Sequence, residues 1–151
     1  MQEAIKILTE NKKVGFDYDI LEKYRAGIVL TGQEVKSIKL GRANIKSAFV
    51  VLRGEEVFLI GCNVPPYQPN NLNKEYLPER TRKLLLHKEE IKELIGKQKQ
   101  KGLTLKPLLV YTLKGKVKLE FALAKNKKKS DKREKIKKRE VNREMRRAFK
   151  A

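Results

Sequence analysis

The stretch Phe16–Leu30, FDYDILEKYRAGIVL, decides the architecture. Phe16, Tyr18, Ile20, Tyr24, Ala26, Ile28 and Leu30 keep one parity, while Asp17, Asp19, Lys23 and Arg25 hold the other. Alternation with a period of two predicts a strand with one buried face. Fifteen residues is far beyond the common strand length of ~5–6. Such a strand must bend, and Gly27 is the expected place for it. One long curled strand shared by two halves of a sheet is what a small barrel needs.

Downstream, Gln33–Leu40 predicts one or two helical turns, with Val35 and Ile38 inward and Gly41 as the stop. Ser47–Arg53 (SAFVVLR) and Val57–Cys62 (VFLIGC) read as strands buried on much of both faces, joined by a hairpin at Gly54-Glu55. The segment 63–78 carries Pro65, Pro66, Pro69 and Pro78 and is expected as a long loop. A second helix is expected from His87 or Lys88 to Lys101, with Ile91, Leu94 and Ile95 buried. Glu89 and Glu90 in its first turn and Lys99 and Lys101 in its last complement the helix dipole, and Gly102 ends it. Leu105–Leu113 and Lys116–Ala124 form a final hairpin around Lys114-Gly115. Val117, Leu119, Phe121 and Leu123 are expected inward, Lys116, Lys118 and Glu120 outward. Five strands with a helix between the third and fourth give the element order of an OB-fold-like antiparallel barrel with two packed helices. The remaining alternative is another small antiparallel α+β sheet.

Composition bounds the function. The chain has 151 residues, a net charge of +19 and 36% charged residues, against a typical ~25%. So positive a surface attracts polyanions, and nucleic acid is the usual one, since each neutralised phosphate releases a condensed counterion. The charge is uneven. Residues 1–125 form the expected barrel domain, whereas residues 126–151 hold 13 Lys or Arg against four acids. That basic tail has one thin apolar edge, Ile136, Val141, Met145 and Phe149. Few apolar contacts and many like charges predict a segment unfolded alone and helical once its charges are neutralised. Cys62 is the single cysteine and His87 the single histidine. No disulfide, thiolate zinc cluster or Cys–His catalytic set can be assembled from them, and no G-x-x-x-x-G-K phosphate loop occurs. Neither a signal peptide nor a run of 18 apolar residues is present, so a cytoplasmic protein without a membrane or cofactor is expected.

Four strings stand out in order: Tyr24-Arg25-Ala26-Gly27, Gly32-Gln33-Glu34-Val35-Lys36-Ser37, Arg80-Thr81-Arg82-Lys83-Leu84-Leu85-Leu86-His87, and Leu123-Ala124-Lys125-Asn126-Lys127-Lys128-Lys129-Ser130-Asp131-Lys132-Arg133. Together they resemble the SmpB (small protein B) family from about Tyr18 to the end. The resemblance implies an RNA-binding adaptor, not an enzyme. Its barrel would bind the tRNA-like domain of tmRNA and deliver it to stalled ribosomes. The tail would occupy the small-subunit decoding centre and the vacant mRNA channel. Elongation factor Tu and alanyl-tRNA synthetase would be partners through the RNA.

The residues expected to carry RNA binding are Arg25, Glu34, Lys36, Ser37, Arg42, Arg80, Arg82, Lys83, Leu85, Lys116, Lys118, Lys125, Lys127 and Lys128. Those expected on the ribosome are Asp131, Lys132, Arg133, Met145 and Phe149. Arg80, Arg82 and Lys83 are clustered cations suited to phosphate, and alternate Lys116 and Lys118 project from one strand face to track a backbone. Glu34 either accepts from base or sugar donors or serves as an acid in the first turn of its helix. Leu85 reads as core, although the resemblance also puts it near the RNA. At Arg25 relatives commonly carry an acid, and at Ser130 an aromatic or histidine, so both positions depart from the family pattern. Two rival classes are a structural ribosomal protein, which would stay on idle ribosomes, and a metal-dependent nuclease, which would need convergent carboxylates.

Overall fold

The computed structural model describes residues 5–68, 75–100 and 102–127, together with Arg139 and Arg143. Its elements run β1 (Lys6–Glu10), α1 (Val14–Asp17), β2 (Tyr18–Ile28), α2 (Gly32–Lys39), β3 (Phe49–Arg53), β4 (Glu56–Ile60), β5 (Arg82–Leu85), α3 (Lys88–Gln98), β6 (Leu103–Leu113) and β7 (Lys116–Asn126). The sheet order is β1-β6-β3-β4-β5-β2-β7, and β6 also pairs with β7. Six strands therefore close into an antiparallel ring, with β1 added outside on β6. Closure is narrowest between β3 and β6, which share the single pair Val50–Leu105.

The ring is filled by inward residues. Val117, Leu119, Phe121 and Leu123 are buried as expected, with Tyr24 stacked on Phe121 at 5.5 Å between ring centres. Ile38 of α2 and Leu94 of α3 enter the same core. Local chemistry sets the ends of these elements. Thr31 caps α2 reciprocally with Glu34, a capping box. The His87 N–H donates to Glu90 at the start of α3. Lys114 and Gly115 both take positive φ, the conformation of a tight two-residue hairpin.

The long first strand differs from its expectation. It begins at Tyr18 rather than Phe16, which lies in α1, and Leu21 is an extra residue between the pairs Ile20–Ala124 and Glu22–Leu123. A bulge of this kind flips the parity of side chains. Tyr24 and Ala26 thus face the core, while Tyr18 joins a small second cluster with Val14, Leu108 and Ala122. Leu21 supplies the irregularity assigned to Gly27. A matching bulge lies at Leu108, between Pro107 and Leu109 of β6.

Three elements go beyond the sequence expectation: α1 is a third helix where two were expected. β1 lies ahead of the first foreseen strand, and Arg82–Leu85, expected as a run leading into a helix, is a strand that joins β4 to β2. The ring accordingly has one strand more than the five foreseen. Among the described residues no helix is long and apolar enough to cross a membrane.

Candidate nucleic-acid interface

The loop after β4 and strand β5 bring the second motif against the third, around a buried ion pair. Glu34 and Arg82 are each 1% exposed. Arg82 Nε donates to Glu34 Oε2 at 2.6 Å, and its Nη atoms donate to the carbonyls of Cys62 (2.8 Å), Arg80 (2.9 Å) and Pro78 (3.1 Å). Arg80 Nη2 reaches Glu34 Oε1 at 2.7 Å from a partly exposed position. Burial pushes the Glu34 carboxyl upward. Hydrogen bonds from Arg80 and the Thr31 backbone, with the charge of Arg82, outweigh burial and hold it below the ordinary glutamate value. Ser37 is fully buried and donates to the Pro65 carbonyl at 2.5 Å.

Glu34, Ser37 and Arg82 are expected from the sequence to touch RNA, and the structure places all three in the interior. Their polar atoms are satisfied inside the protein, where they position neighbouring groups. Lys127 is also engaged within the chain. Its side chain is 5% exposed, with Nζ at 3.1 Å from the Gly15 carbonyl and 4.0 Å from Asp19. Its backbone N–H donates to Asp17.

The other cations remain outward. Lys36 is exposed, its ammonium 5.5 Å from the centre of the Tyr67 ring, and exposed Arg42 donates to the Tyr67 carbonyl at 3.3 Å. Thr31, Gln33, Lys36, Tyr76 and Arg80 line a cleft of about 560 Å³ beside α2. A second cleft, about 350 Å³, centres on Gly27 and is lined by Leu85, Lys116 and Lys118 among others. At Gly27 β2 is paired on both sides, with Leu85 and with Lys118. A Cβ there would sit 3.4 Å from that of Leu85. Leu85 is 54% exposed, so its place in the Leu84–Leu86 run misdirects the core reading.

Arg25, whose side chain is 62% exposed, lies 3.6 Å from Glu120 and 5.9 Å from the centre of the Tyr111 ring. Lys83 is exposed and 3.5 Å from Glu56, and Lys125 is exposed near the end of β7. Tyr67 and Tyr76 are site residues that sequence reasoning missed. Their place in the proline-rich loop was the available signal, since aromatics in a polar loop need a partner. Lys128, Asp131, Lys132, Arg133, Met145 and Phe149 lie outside the described residues. Arg139 and Arg143 are helical, and the Arg139 guanidinium stands 5.0 Å over the Phe16 ring. Among the described residues no three His, Cys, Asp or Glu converge as a metal site.

The fold and these clefts define a class: a small OB-like barrel with basic, partly apolar clefts on its outer wall. Comparison with known proteins narrows it. The family model described as SmpB protein matches residues 8–151. An SsrA-binding protein of Syntrophobacter fumaroxidans is 54% identical over 143 residues, 95% of this chain and 88% of the relative. One from Acaryochloris marina is 47% identical over 150 residues, covering 99% and 97%. A chain of the solved structure described as "tmRNA-SmpB: a journey to the center of the bacterial ribosome" superposes with a TM-score of 0.67 at 40% identity, over 85% of this chain and 93% of that one. The chain belongs to the SmpB family.

Proposed function

We propose that this chain binds the tRNA-like domain of tmRNA and delivers it to stalled ribosomes, a reading supported by the names of its relatives. The observation that carries the reading is the cleft at Gly27, which joins exposed Leu85 to Lys116 and Lys118. Ammonium groups projecting from alternate positions of β7 suit successive phosphates, and the leucine suits an apolar sugar or base edge. Arg80 and Lys36, at the other cleft, extend the contact. Glu34 and Arg82 hold Arg80 and the backbone at Cys62 and Pro78 in place. The exposed Arg25 and Lys125 add to the positive surface. The tail, including Asp131, Lys132, Arg133, Met145 and Phe149, occupies the decoding centre and the empty mRNA channel. No bond is made or broken by the chain's own side chains. It acts by fit and charge.

The test is RNA binding across a salt series. Lys116→Ala with Lys118→Ala should weaken binding of the tRNA-like RNA and flatten the log–log salt slope by ~0.7–0.9 for each phosphate left without its cation. An unchanged slope and affinity would remove β7 from the interface.

A further inference from the structure

Lys127 is a cation drawn into the protein where the barrel ends and the basic tail begins. Its side chain is 5% exposed, although a lysine ordinarily buries its stem and keeps the ammonium in water. Nζ donates to the Gly15 carbonyl at 3.1 Å and stands 4.0 Å from Asp19 Oδ1. The backbone N–H donates to the Asp17 carbonyl at 3.2 Å, one step beyond the β2–β7 pair Tyr18–Asn126. Gly15 and Asp17 both belong to α1, and a lysine suits the C-terminal end of a helix, where carbonyls point outward and the dipole is negative. Main chain and side chain of one residue are thus held to one helix.

α1 is itself fixed. Its Val14 packs with Leu108 and Ala122, and Tyr18 closes this cluster beside the main core. Lys106 lies 5.6 Å over the Tyr18 ring. Asn11, just ahead of α1, donates its backbone N–H to the Leu108 carbonyl at 2.7 Å.

We propose that α1 is a fixed abutment that sets the direction in which the tail leaves the barrel, with Lys127 as the positioning residue. The inference rests on the reading that the tail works inside the ribosome. Charge and entropy explain why an anchor is needed. Residues 126–151 hold 13 Lys or Arg against four acids, and the residues before them are positive as well, so the two parts repel. A loose joint would let the tail point in many directions, each of which has to be given up when it docks. Fixing the first residue beyond β7 removes that freedom at its root. Arg139 points to the same guide, its guanidinium standing 5.0 Å over the ring of Phe16 in α1. Two cations of the tail therefore meet one short helix.

The experiment uses the full chain with Lys127→Met, which keeps the stem and removes the ammonium, and with Lys127→Arg, which restores a cation. Affinity for the tRNA-like RNA, the urea midpoint, and the rate of peptide tagging on stalled ribosomes over a range of protein concentration are read for each. Lys127→Met should lower the maximal tagging rate about tenfold. Half-saturating concentration, RNA affinity and midpoint should stay native, and Lys127→Arg should recover most of the rate. A Gly-Gly insertion after Lys127 leaves the contacts of that residue in place and frees the direction of the tail. It should lower the maximal rate as Lys127→Met does, and it decides the matter alone if Lys127→Met lowers the midpoint. Tagging at the native rate by either variant would overturn the proposal. A higher half-saturating concentration at unchanged maximal rate, or a loss of affinity for the tRNA-like RNA, would make Lys127 a binding contact and overturn it too. A native chain that fails to bind the RNA or to tag would overturn the functional reading instead, and the same assays show it separately.

Discussion

Glu34 is a buried acid that joins three parts of the chain. Its carboxylate accepts from Arg82, Arg80 and the Thr31 backbone at once, tying α2 to β5 and to the loop between β4 and β5. Removing one partner of such a buried pair typically costs about 3–5 kcal/mol, because the other charge is left unpaired. Glu34→Ala should therefore lower stability by that order in denaturant unfolding. Glu34→Gln should cost less, yet loosen Arg80 and weaken RNA binding at unchanged fold. The pH dependence has a fixed sign. The folded carboxyl lies below its ordinary 4.5, so its stabilisation is present above that value and is lost as pH falls through the folded value. Urea midpoints of the native chain should fall with pH in that window, more steeply than those of Glu34→Gln. Equal acid limbs would show the carboxylate to be no more stabilised than in the unfolded chain. The sequence makes both roles of Glu34 available, an RNA acceptor or an acid of the first helical turn. Only the approach of Arg80 and Arg82 across 46 and 48 residues of chain separates them, and no local pattern encodes that contact. Leu85 escapes for the opposite reason, since hydrophobicity says what a residue is and not which side of a strand it takes.

Among the elements, β7 is legible almost completely because it alternates without interruption and is paired on both sides, by β2 and β6. Phe121 is fully buried at its centre. Phe121→Ala should cost about 3–5 kcal/mol in chemical unfolding, and a loss below about 1 kcal/mol would mean that the site collapses without leaving a cavity. Strand β2 is legible in kind but not in detail. Period-two reading assumes a constant parity, and the extra residue Leu21 breaks that assumption silently. β5 is hidden for a different reason. Its four residues, Arg82–Leu85, alternate buried and exposed, but buried Arg82 reads as a surface cation until its carboxylate is known. β1 sets only Leu8 against the core and leaves Ile7 exposed, too thin a pattern to announce a strand that pairs with β6. Element type is thus readable where burial is one-sided and regular. It is obscured where a strand is short, bulged or charged inside.

At the scale of the molecule the question is whether barrel and tail divide the work. The net charge of +19 is split almost evenly between the first 125 residues and the last 26, so charge alone does not say which part binds what. The structure locates the natural cut. β7 continues to Asn126, and Lys127 returns to α1 through its backbone and its ammonium group. Ending the chain after Lys127 therefore keeps β1 to β7, α1 to α3 and the tie to Gly15, whereas a cut before Lys127 would also loosen α1. The truncated protein should unfold at nearly the same denaturant concentration as the full chain, since its core cluster ends at Leu123. It should retain most of its affinity for the tRNA-like RNA, because Lys36, Arg80, Leu85, Lys116 and Lys118 all remain. Peptide tagging on stalled ribosomes should nevertheless collapse, because nothing would then fill the decoding centre and the empty mRNA channel. Each assay isolates one link. Normal tagging by the truncated chain would make the tail a solubilising extension. A drop in RNA affinity with an intact fold would move part of the RNA interface into the tail. A lowered unfolding midpoint would mean that the tail braces the barrel, and the 5.0 Å contact of Arg139 with Phe16 is where that bracing would act. Arg139→Glu in the full chain would then reproduce the lowered midpoint by itself.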